Sequence, residues 1–468
     1  MKFKSFKEML LSNVKSHANN VALAYDEDGE IKSLTYAELY REISARREQI
    51  ARLDANCVGI LQAPSKKWII DMFACVLARK QTVLLDPMSE PTVIQAQTLA
   101  TDVETLLTDE LTSRHASLLK TAPVGTVAPS KDEGDILFFT SGTTNSSKAV
   151  VLTSSSLCAS AWNGQAKCPC NETDNLLCML PLTHVFGFVC AMLWPMSQGA
   201  KISITRGMRY IAQDCKYFKP TIISVVPSIL KFLVGLNALN DELRMVLVGA
   251  GPANEQTLAA AKEKGIEVRF GYGLTETSSG VAISCGENPF AMSVCPDDTI
   301  TLADDGEVLV KADECMMKGY YKNEKDTEKV LEPDGWLHTG DMGTMDPDGT
   351  LYIRGRSKTM ILSGSGQNIY PEEIEDKLNN MYLVLESLVL EHNGKLHALV
   401  VPDYEQAERE GVDKNDLPQI MENNLKELNT VVAGYEHVAA ITIYPTEFEK
   451  TPKRSIKRYL YNVTLLGK

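Results

Sequence analysis

Positive charge is in short supply in this chain. Its 468 residues carry 47 Lys and Arg against 61 Asp and Glu, a formal net charge of −14. That balance makes the chain a poor candidate for binding long nucleic acids, because a phosphate polymer calls for a basic face. It does not exclude a single nucleotide, because a few backbone amides, one lysine and a metal ion are enough for that. Repeated CxxC pairs are also missing. The 11 cysteines include one CxC, Cys168 and Cys170, with Cys178 further on, but no fourth ligand stands at a zinc-binding spacing. An odd cysteine count fits free thiols in a reducing compartment, so the expectation is a cytoplasmic protein. The N-terminal run MKFKSFKEMLLSNVKSH lacks the apolar core of a secretory signal. Charge is absent from 175–200, and much of that stretch is apolar. Its length alone would allow a membrane span, but Pro181, Thr183, His184, Gly187 and Pro195 interrupt it. It reads instead as a buried strand, a loop and a buried helix. Neither an internal repeat nor a low-complexity linker is visible.

What is present is an alternation of strand and helix patterns, in a chain too long for one simple core. Residues 35–50 form an amphipathic helical pattern with an N-cap near Thr35. CVGILQA, from Cys57, reads as a buried strand, WIIDMFACVLARK, from Trp68, as a helix, and TVLLDP as a strand stopped by Pro87. The alternation returns in 223–234, a strand feeding a helix, and in MVLVGAG (245–251), a strand ending in small residues. The helix that follows ends at Gly265. This order predicts a parallel α/β sheet. Beyond Val308 Gly and Asp become commoner and the strands shorter, as in TLYIRG (350–355). A further segment has its own helix, PEEIEDKLNN, and the strands ESLVLEH and HALVVPD. The expected division is a large N-terminal multi-sheet α/β domain over 1–355 and a small mobile C-terminal α+β domain over 356–468, with a short hinge at 356–358.

The strongest local signal for chemistry is FFTSGTTNSSKAVVLT (138–153). A strand enters a loop of small hydroxylated residues around Gly142 and reaches Lys148. Such a loop can bring amides, hydroxyls and one ammonium onto phosphate oxygens; it can equally be a Ser/Thr-rich turn that caps the next element. The GxxxxGK[ST] spacing of a Walker loop is absent. PLTHVFG (181–187), VGAGP (248–252), GYGLTETS (271–278), GWLHTGD (335–341), YIRGR (352–356) and GRSKTMILSGSGQNIYPEEIE (355–375) follow in that order.

This series resembles the adenylate-forming superfamily of acyl-CoA synthetases, adenylation domains and luciferases, from LTYAEL at 34–39 to about Tyr459. The resemblance implies an ATP- and Mg2+-dependent acid–thiol ligase. Thr140, Ser141, Gly142, Thr143, Thr144 and Lys148 would hold the phosphates. Thr275 would meet phosphate, and Glu276 would coordinate magnesium, which takes hard oxygen ligands. Gly249, Ala250, Gly251, Gly271, Tyr272 and Gly273 would border adenine and acyl group, with His184 near the acyl carboxylate. Asp341 would hold the ribose hydroxyls, Arg356 would touch the nucleotide, and Lys358 would mark the hinge. Gly364 and Gly366 would line the thiol tunnel.

The chain departs from the family pattern at Asn145, Ser147 and Ala149, and more seriously at its C-terminus. TPKRSIKR (451–458) puts Ser455 where many relatives have a lysine that crosses into the site during adenylation. Lys453, Arg454 or Lys457 would have to supply the cation, and Lys457 shares a face with Ser455 if the segment is a strand. The implied reaction joins a carboxylic acid, expected to be fatty or similarly apolar, to AMP and then to coenzyme A. The alternatives are a stand-alone enzyme loading a separate acyl or peptidyl carrier protein, and a non-catalytic nucleotide- or acyl-binding protein.

Overall fold

The computed structural model describes residues 2–140, 148–251, 255–284, 286–362, 367–450 and 456–461. They divide into two compact units. The larger takes in Met1–Ala250, Ala260–Thr301 and Leu309–His338; the smaller takes in Gly251–Ala259, Leu302–Val308 and Thr339–Lys468.

Local signals account for the helices of the larger unit. Tyr36–Ala51 starts at Thr35, whose hydroxyl accepts from the Glu38 amide while the Glu38 carboxylate accepts from the Thr35 amide at 2.8 Å. This reciprocal cap satisfies two amides that the first turn would leave bare. Ser65 caps Lys66–Leu77 through the Trp68 amide at 3.1 Å. Pro227 opens Pro227–Gly235, a position where its missing N–H costs nothing. The uncharged stretch 175–200 becomes a buried strand, Asn175–Cys178, a turn, and a largely buried helix over 185–197 whose middle, Val189–Leu193, widens into a π-helical turn. Trp194 is fully buried in it beside Gly164, where an added Cβ would come within 3.3 Å of the indole. Among the described residues no helix is long and apolar enough to cross a membrane.

Two sheets carry the larger unit. In one, Cys57–Leu61 lies between Gln81–Leu85 and Thr105–Thr108, all parallel, and Gln81–Leu85 is parallel to Ile136–Phe139. Ala149–Leu152 then returns antiparallel to Ile136–Phe139, and the two-residue strand Gly319–Tyr320 pairs antiparallel to it. In the other, Lys201–Ile204, Asn175–Cys178, Ile222–Val225, Met245–Gly249 and Glu267–Leu274 run parallel in that spatial order. Ser279–Ser284 is antiparallel to the last of them. The main core holds Phe6, Trp68, Phe73, Phe138, Phe188 and Trp194, all fully buried. Strands buried on both faces are the reason these segments read as continuous apolar runs.

The smaller unit has its own core, with Ile374, Leu378, Val389, Ala398, Val400 and Leu428 at its centre. The helix Pro371–Asn379 is followed by the antiparallel strands Val384–His392 and Lys395–Pro402, and Val438–Ile443 runs parallel to the second. The large α/β unit and smaller α+β unit expected from the pattern are both present. By compactness the smaller unit begins at Thr339 and collects two earlier pieces, so the hairpin that carries Asp341 and Arg356 goes with it. The hinge at 356–358 stays a proposal.

One buried charge tests the packing of the larger unit. Asp71, 1% exposed on Lys66–Leu77, accepts from Arg46 Nε at 2.6 Å, Lys67 Nζ at 2.7 Å and Gln62 Nε2 at 2.8 Å. Burial alone would push its carboxyl up, but these three donors outweigh it and hold the group below its ordinary value. A lowered folded value means stability that is present above the unfolded value and fades as pH falls through the folded one. Asp71→Ala is expected to cost about 2 kcal/mol at neutral pH. The gap between the urea midpoints of the two proteins should close as pH falls below about 4.

Candidate active site

The loop expected to hold phosphate hangs from a hairpin. Phe139 pairs with Ala149, and the Thr140 amide donates to the Lys148 carbonyl at 3.0 Å, so the two ends of the loop are clamped together. Ser141, Gly142, Thr143 and Thr144 lie outside the described residues, as do Asn145 and Ser147. Lys148 Nζ is 3.3 Å from Asp326 Oδ2 and 4.5 Å from the centre of the Tyr320 ring. Asp326 stands in the first turn of the short helix Glu324–Glu328, whose N-cap is Asn323. Lys329, Asn323 and Lys148 together hold its carboxyl far below the usual range.

Register explains why Tyr320 meets Lys148. Tyr320 is opposite Val150, and side chains two apart on a strand share a face. Lys148 precedes Val150 by two residues, so it is the diagonal neighbour of Tyr320, within reach of long side chains.

Glu276 reaches the same tyrosine from the other sheet. Glu267–Leu274 runs into a single tight turn, Thr275–Thr277. Thr277 Oγ1 accepts from the Leu274 amide at 3.1 Å, and the Glu276 carbonyl accepts from the Met317 amide at 2.8 Å. Ser278, with φ +55, donates its hydroxyl to the Cys315 carbonyl at 2.7 Å. The Tyr320 hydroxyl donates to Glu276 Oε1 at 2.7 Å. Burial, then the Glu276 charge, push the phenol far above its ordinary value. Thr275, expected to meet phosphate, is 6% exposed.

The strand ends beside this turn are bare. Gly249 and Gly271 face each other in register. A Cβ on Gly249 would come within 3.2 Å of the Phe186 ring and 3.3 Å of the Gly271 carbonyl. Gly273 sits at a bulge between Tyr272 and Ser279–Ser284, where a Cβ would collide with the Ser279 carbonyl. His184, half-buried, precedes the helical turn that presents Phe186, and its carbonyl accepts from the Phe188 amide at 2.8 Å. Ala250 follows with φ +63 and is exposed, and Gly251 is counted with the smaller unit. The structure thus brings Lys148 and Glu276 together on Tyr320, and sets Gly249, Gly271 and Phe186 around one set of strand ends.

In the smaller unit Asp341 and Arg356 are a cross-strand pair, with Arg356 Nε 2.7 Å from Asp341 Oδ1. Asp341 is 5% exposed and Arg356 is largely open. Gly364, Gly366, Lys453, Arg454 and Ser455 lie outside the described residues. Arg458 is committed elsewhere: it donates to buried Glu375 at 2.7 Å and to the Val389 carbonyl at 3.0 Å. Among the described residues the ion partner of Lys457 Nζ is the exposed Glu449, at 3.3 Å. Its backbone, φ −76 and ψ 71, leads into the turn Arg458–Leu460. The extended strand that would align Lys457 with Ser455 is therefore not formed at that residue.

Tyr320 and Asp326 were not singled out from the sequence. A two-residue edge strand and a five-residue helix carry no periodicity, and the signal that would have pointed to them is a strand partner across 170 residues of chain, roughly the distance at which only folding brings residues together. Magnesium can be tested against the donors that are present. Among the described residues no group of three or more His, Cys, Asp or Glu could hold a metal. Mg2+ does not need one, since it takes one or two carboxylates and completes its shell with waters and phosphate oxygens. Glu276, with one oxygen held by Tyr320, fits that role.

A parallel sheet with glycines near its strand ends, a Ser/Thr loop clamped at its two ends and followed by one lysine, and, in the smaller unit, a buried Asp341 paired with the open Arg356 fit a nucleotide-activating enzyme of the adenylate-forming class. The model of the AMP-binding enzyme family matches residues 10–321, and the chain belongs to that family. Within it this is an acid–thiol ligase. The 2-succinylbenzoate–CoA ligase of Oceanobacillus iheyensis is 29% identical over 387 residues, 75% of this chain and 79% of that protein. The enzyme of the same name from Bacillus cytotoxicus is 35% identical over 285 residues, 55% of this chain and little more than half, 57%, of that protein. Among solved structures, o-succinylbenzoate CoA synthetase from Bacillus subtilis in complex with its acyl-adenylate intermediate has a TM-score of 0.80 at 25% identity, over 96% of this chain and 97% of that one. The anthranilate CoA ligase in complex with anthranoyl-AMP has a TM-score of 0.82 at 20% identity, over 98% and 97%, and shares the fold.

Gly273→Ala tests the link between the strand end and the turn that carries Glu276. The Cβ has backbone in its way and cannot be relieved by a rotamer change. The variant is expected to lose about 2 kcal/mol in urea unfolding and to bind MgATP at least tenfold more weakly by calorimetry.

Proposed function

We propose that this enzyme activates a small aromatic carboxylic acid of the 2-succinylbenzoate kind with MgATP and transfers the acyl group to coenzyme A. The observation that carries the reading is the meeting of Lys148 and Glu276 on Tyr320, at the foot of a loop built from small hydroxylated residues. Two relatives named for 2-succinylbenzoate support an aromatic acid; the fatty acid expected from the sequence has no such support.

A free carboxylate is a poor electrophile, so the acid is first made into a mixed anhydride. Its oxygen attacks the α-phosphorus of ATP, the bond to the β-phosphate oxygen breaks, and pyrophosphate leaves. The thiolate of coenzyme A then attacks the acyl carbonyl and AMP leaves with the shared oxygen. Lys148 neutralises phosphate oxygens as charge gathers on them, and Glu276 presents a carboxylate oxygen toward the metal ion. Magnesium, when bound, offsets the charge of the departing pyrophosphate. Asp341 accepts from both ribose hydroxyls, which a carboxylate can do and a neutral side chain cannot do as well. Lys457, whose ion partner among the described residues is the exposed Glu449, takes the place of the usual lysine.

ATP–pyrophosphate exchange with 2-succinylbenzoate, benzoate-type acids and fatty acids is the test. Exchange with the aromatic dicarboxylate, and thioester formation with coenzyme A afterwards, is expected. Lys148→Ala and Glu276→Gln should each lower the exchange rate by about a hundredfold or more. Lys457→Ala should lower exchange but leave thioester formation from preformed acyl-adenylate intact. ATP binding without exchange for any acid would make the protein a non-catalytic binder.

A further inference from the structure

Two groups of opposite charge that both have to face a nucleotide have a competitor in each other. If the Lys148 ammonium and the Glu276 carboxylate paired directly, each would be neutralised before MgATP arrived. Among the described residues the ion partner of Lys148 is Asp326, not Glu276. Tyr320 stands with both: its hydroxyl donates to Glu276 Oε1 at 2.7 Å, and its ring lies 4.5 Å from Lys148 Nζ. The ring is itself held firmly. Tyr320 is 8% exposed and its amide donates to Thr327 Oγ1 at 2.9 Å. Gly319, at φ +135, allows the approach, since a Cβ there would come within 3.0 Å of Thr327. Thr327 belongs to the same short helix as Asp326, so the segment that fixes the ring also supplies the carboxylate facing the ammonium.

We propose that Tyr320 is a positioning residue that keeps Glu276 and Lys148 apart and aimed at MgATP, and that Asp326 occupies the Lys148 ammonium until a phosphate oxygen displaces it. This rests on the assignment of Lys148 and Glu276 to the nucleotide. A hydroxyl that donates to one carboxylate oxygen orients the group and leaves the other oxygen for a cation. An aromatic face holds an ammonium without neutralising it. Asp326 is a quarter exposed and already shared with Lys329, 2.6 Å away, so a phosphate, with more charge and more acceptor oxygens, displaces it.

The experiment is calorimetric binding of ATP to the full chain over a series of Mg2+ concentrations, with melting curves to confirm folding. Tyr320→Phe keeps the ring and loses the hydroxyl. It should raise the Mg2+ concentration needed for half-maximal ATP affinity about tenfold, with little change at saturating Mg2+. Tyr320→Leu, which loses the ring as well, should weaken ATP binding at every Mg2+ concentration. Asp326→Asn should tighten ATP binding several-fold without altering the Mg2+ dependence. An unchanged Mg2+ dependence in Tyr320→Phe, or weaker ATP binding in Asp326→Asn, overturns the proposal. Lys148→Ala and Glu276→Gln are measured alongside. If both bind MgATP as the wild type does, the nucleotide assignment itself fails, whatever Tyr320→Phe shows.

Discussion

The meeting of Lys148 and Glu276 in the larger unit depends on one short backbone pairing. Gly319–Tyr320 adds two residues to the edge of a sheet, next to Ala149–Leu152. Without it the strand that carries Lys148 would be an open edge, with unpaired amides facing water. With it, the Met317 amide reaches the Glu276 carbonyl, the Lys318 amide reaches the Val151 carbonyl at 2.9 Å, and the Tyr321 amide reaches the Ala149 carbonyl at 2.8 Å. One segment therefore ties the loop strand of one sheet to the turn that ends Glu267–Leu274 in the other. The tyrosine in its middle is where the two charged side chains meet.

The second constraint is the absence of side chains at the ends of parallel strands. Open α/β sheets bind ligands in the crevice beyond the carboxyl ends of their strands. Here Met245–Gly249 ends in a glycine, and Glu267–Leu274 carries Gly271 opposite it and Gly273 against the backbone of Ser279. Glycine at these places is required by close approach rather than by turn geometry: Gly249 meets a ring and a carbonyl, and Gly273 meets a carbonyl. A bulge and a tight turn then set Tyr272 and Glu276 beside these glycines.

The cysteines illustrate how burial settles chemistry that composition leaves open. The ten described ones are all buried. Removal from water pushes the thiols of Cys57, Cys178, Cys190 and Cys215 up to about 12, so they remain protonated and behave as small apolar residues. Nothing in a count of 11 could distinguish that from a reactive set.

Helices, strands and their alternation were legible in the chain because their causes are local. The Thr35–Glu38 cap, the apolar runs of doubly buried strands, and Pro181 in the turn of 175–200 each act over a few residues, whereas Pro195, expected to interrupt that stretch, is taken into the helix. The glycine positions and the order of motifs around Lys148, Glu276 and Asp341 were legible for the same reason. What the sequence could not determine was which groups meet. Tyr320 lies 44 residues from Glu276 by chain and much further from Lys148, and the link runs through a strand too short to leave a pattern. The pairing of Asp341 with Arg356, the commitment of Arg458 to Glu375, and the turn at Lys457 are likewise results of packing. Local propensity chooses the elements, but the partner of a charged side chain is chosen by register and burial, and those exist only once the sheets have formed.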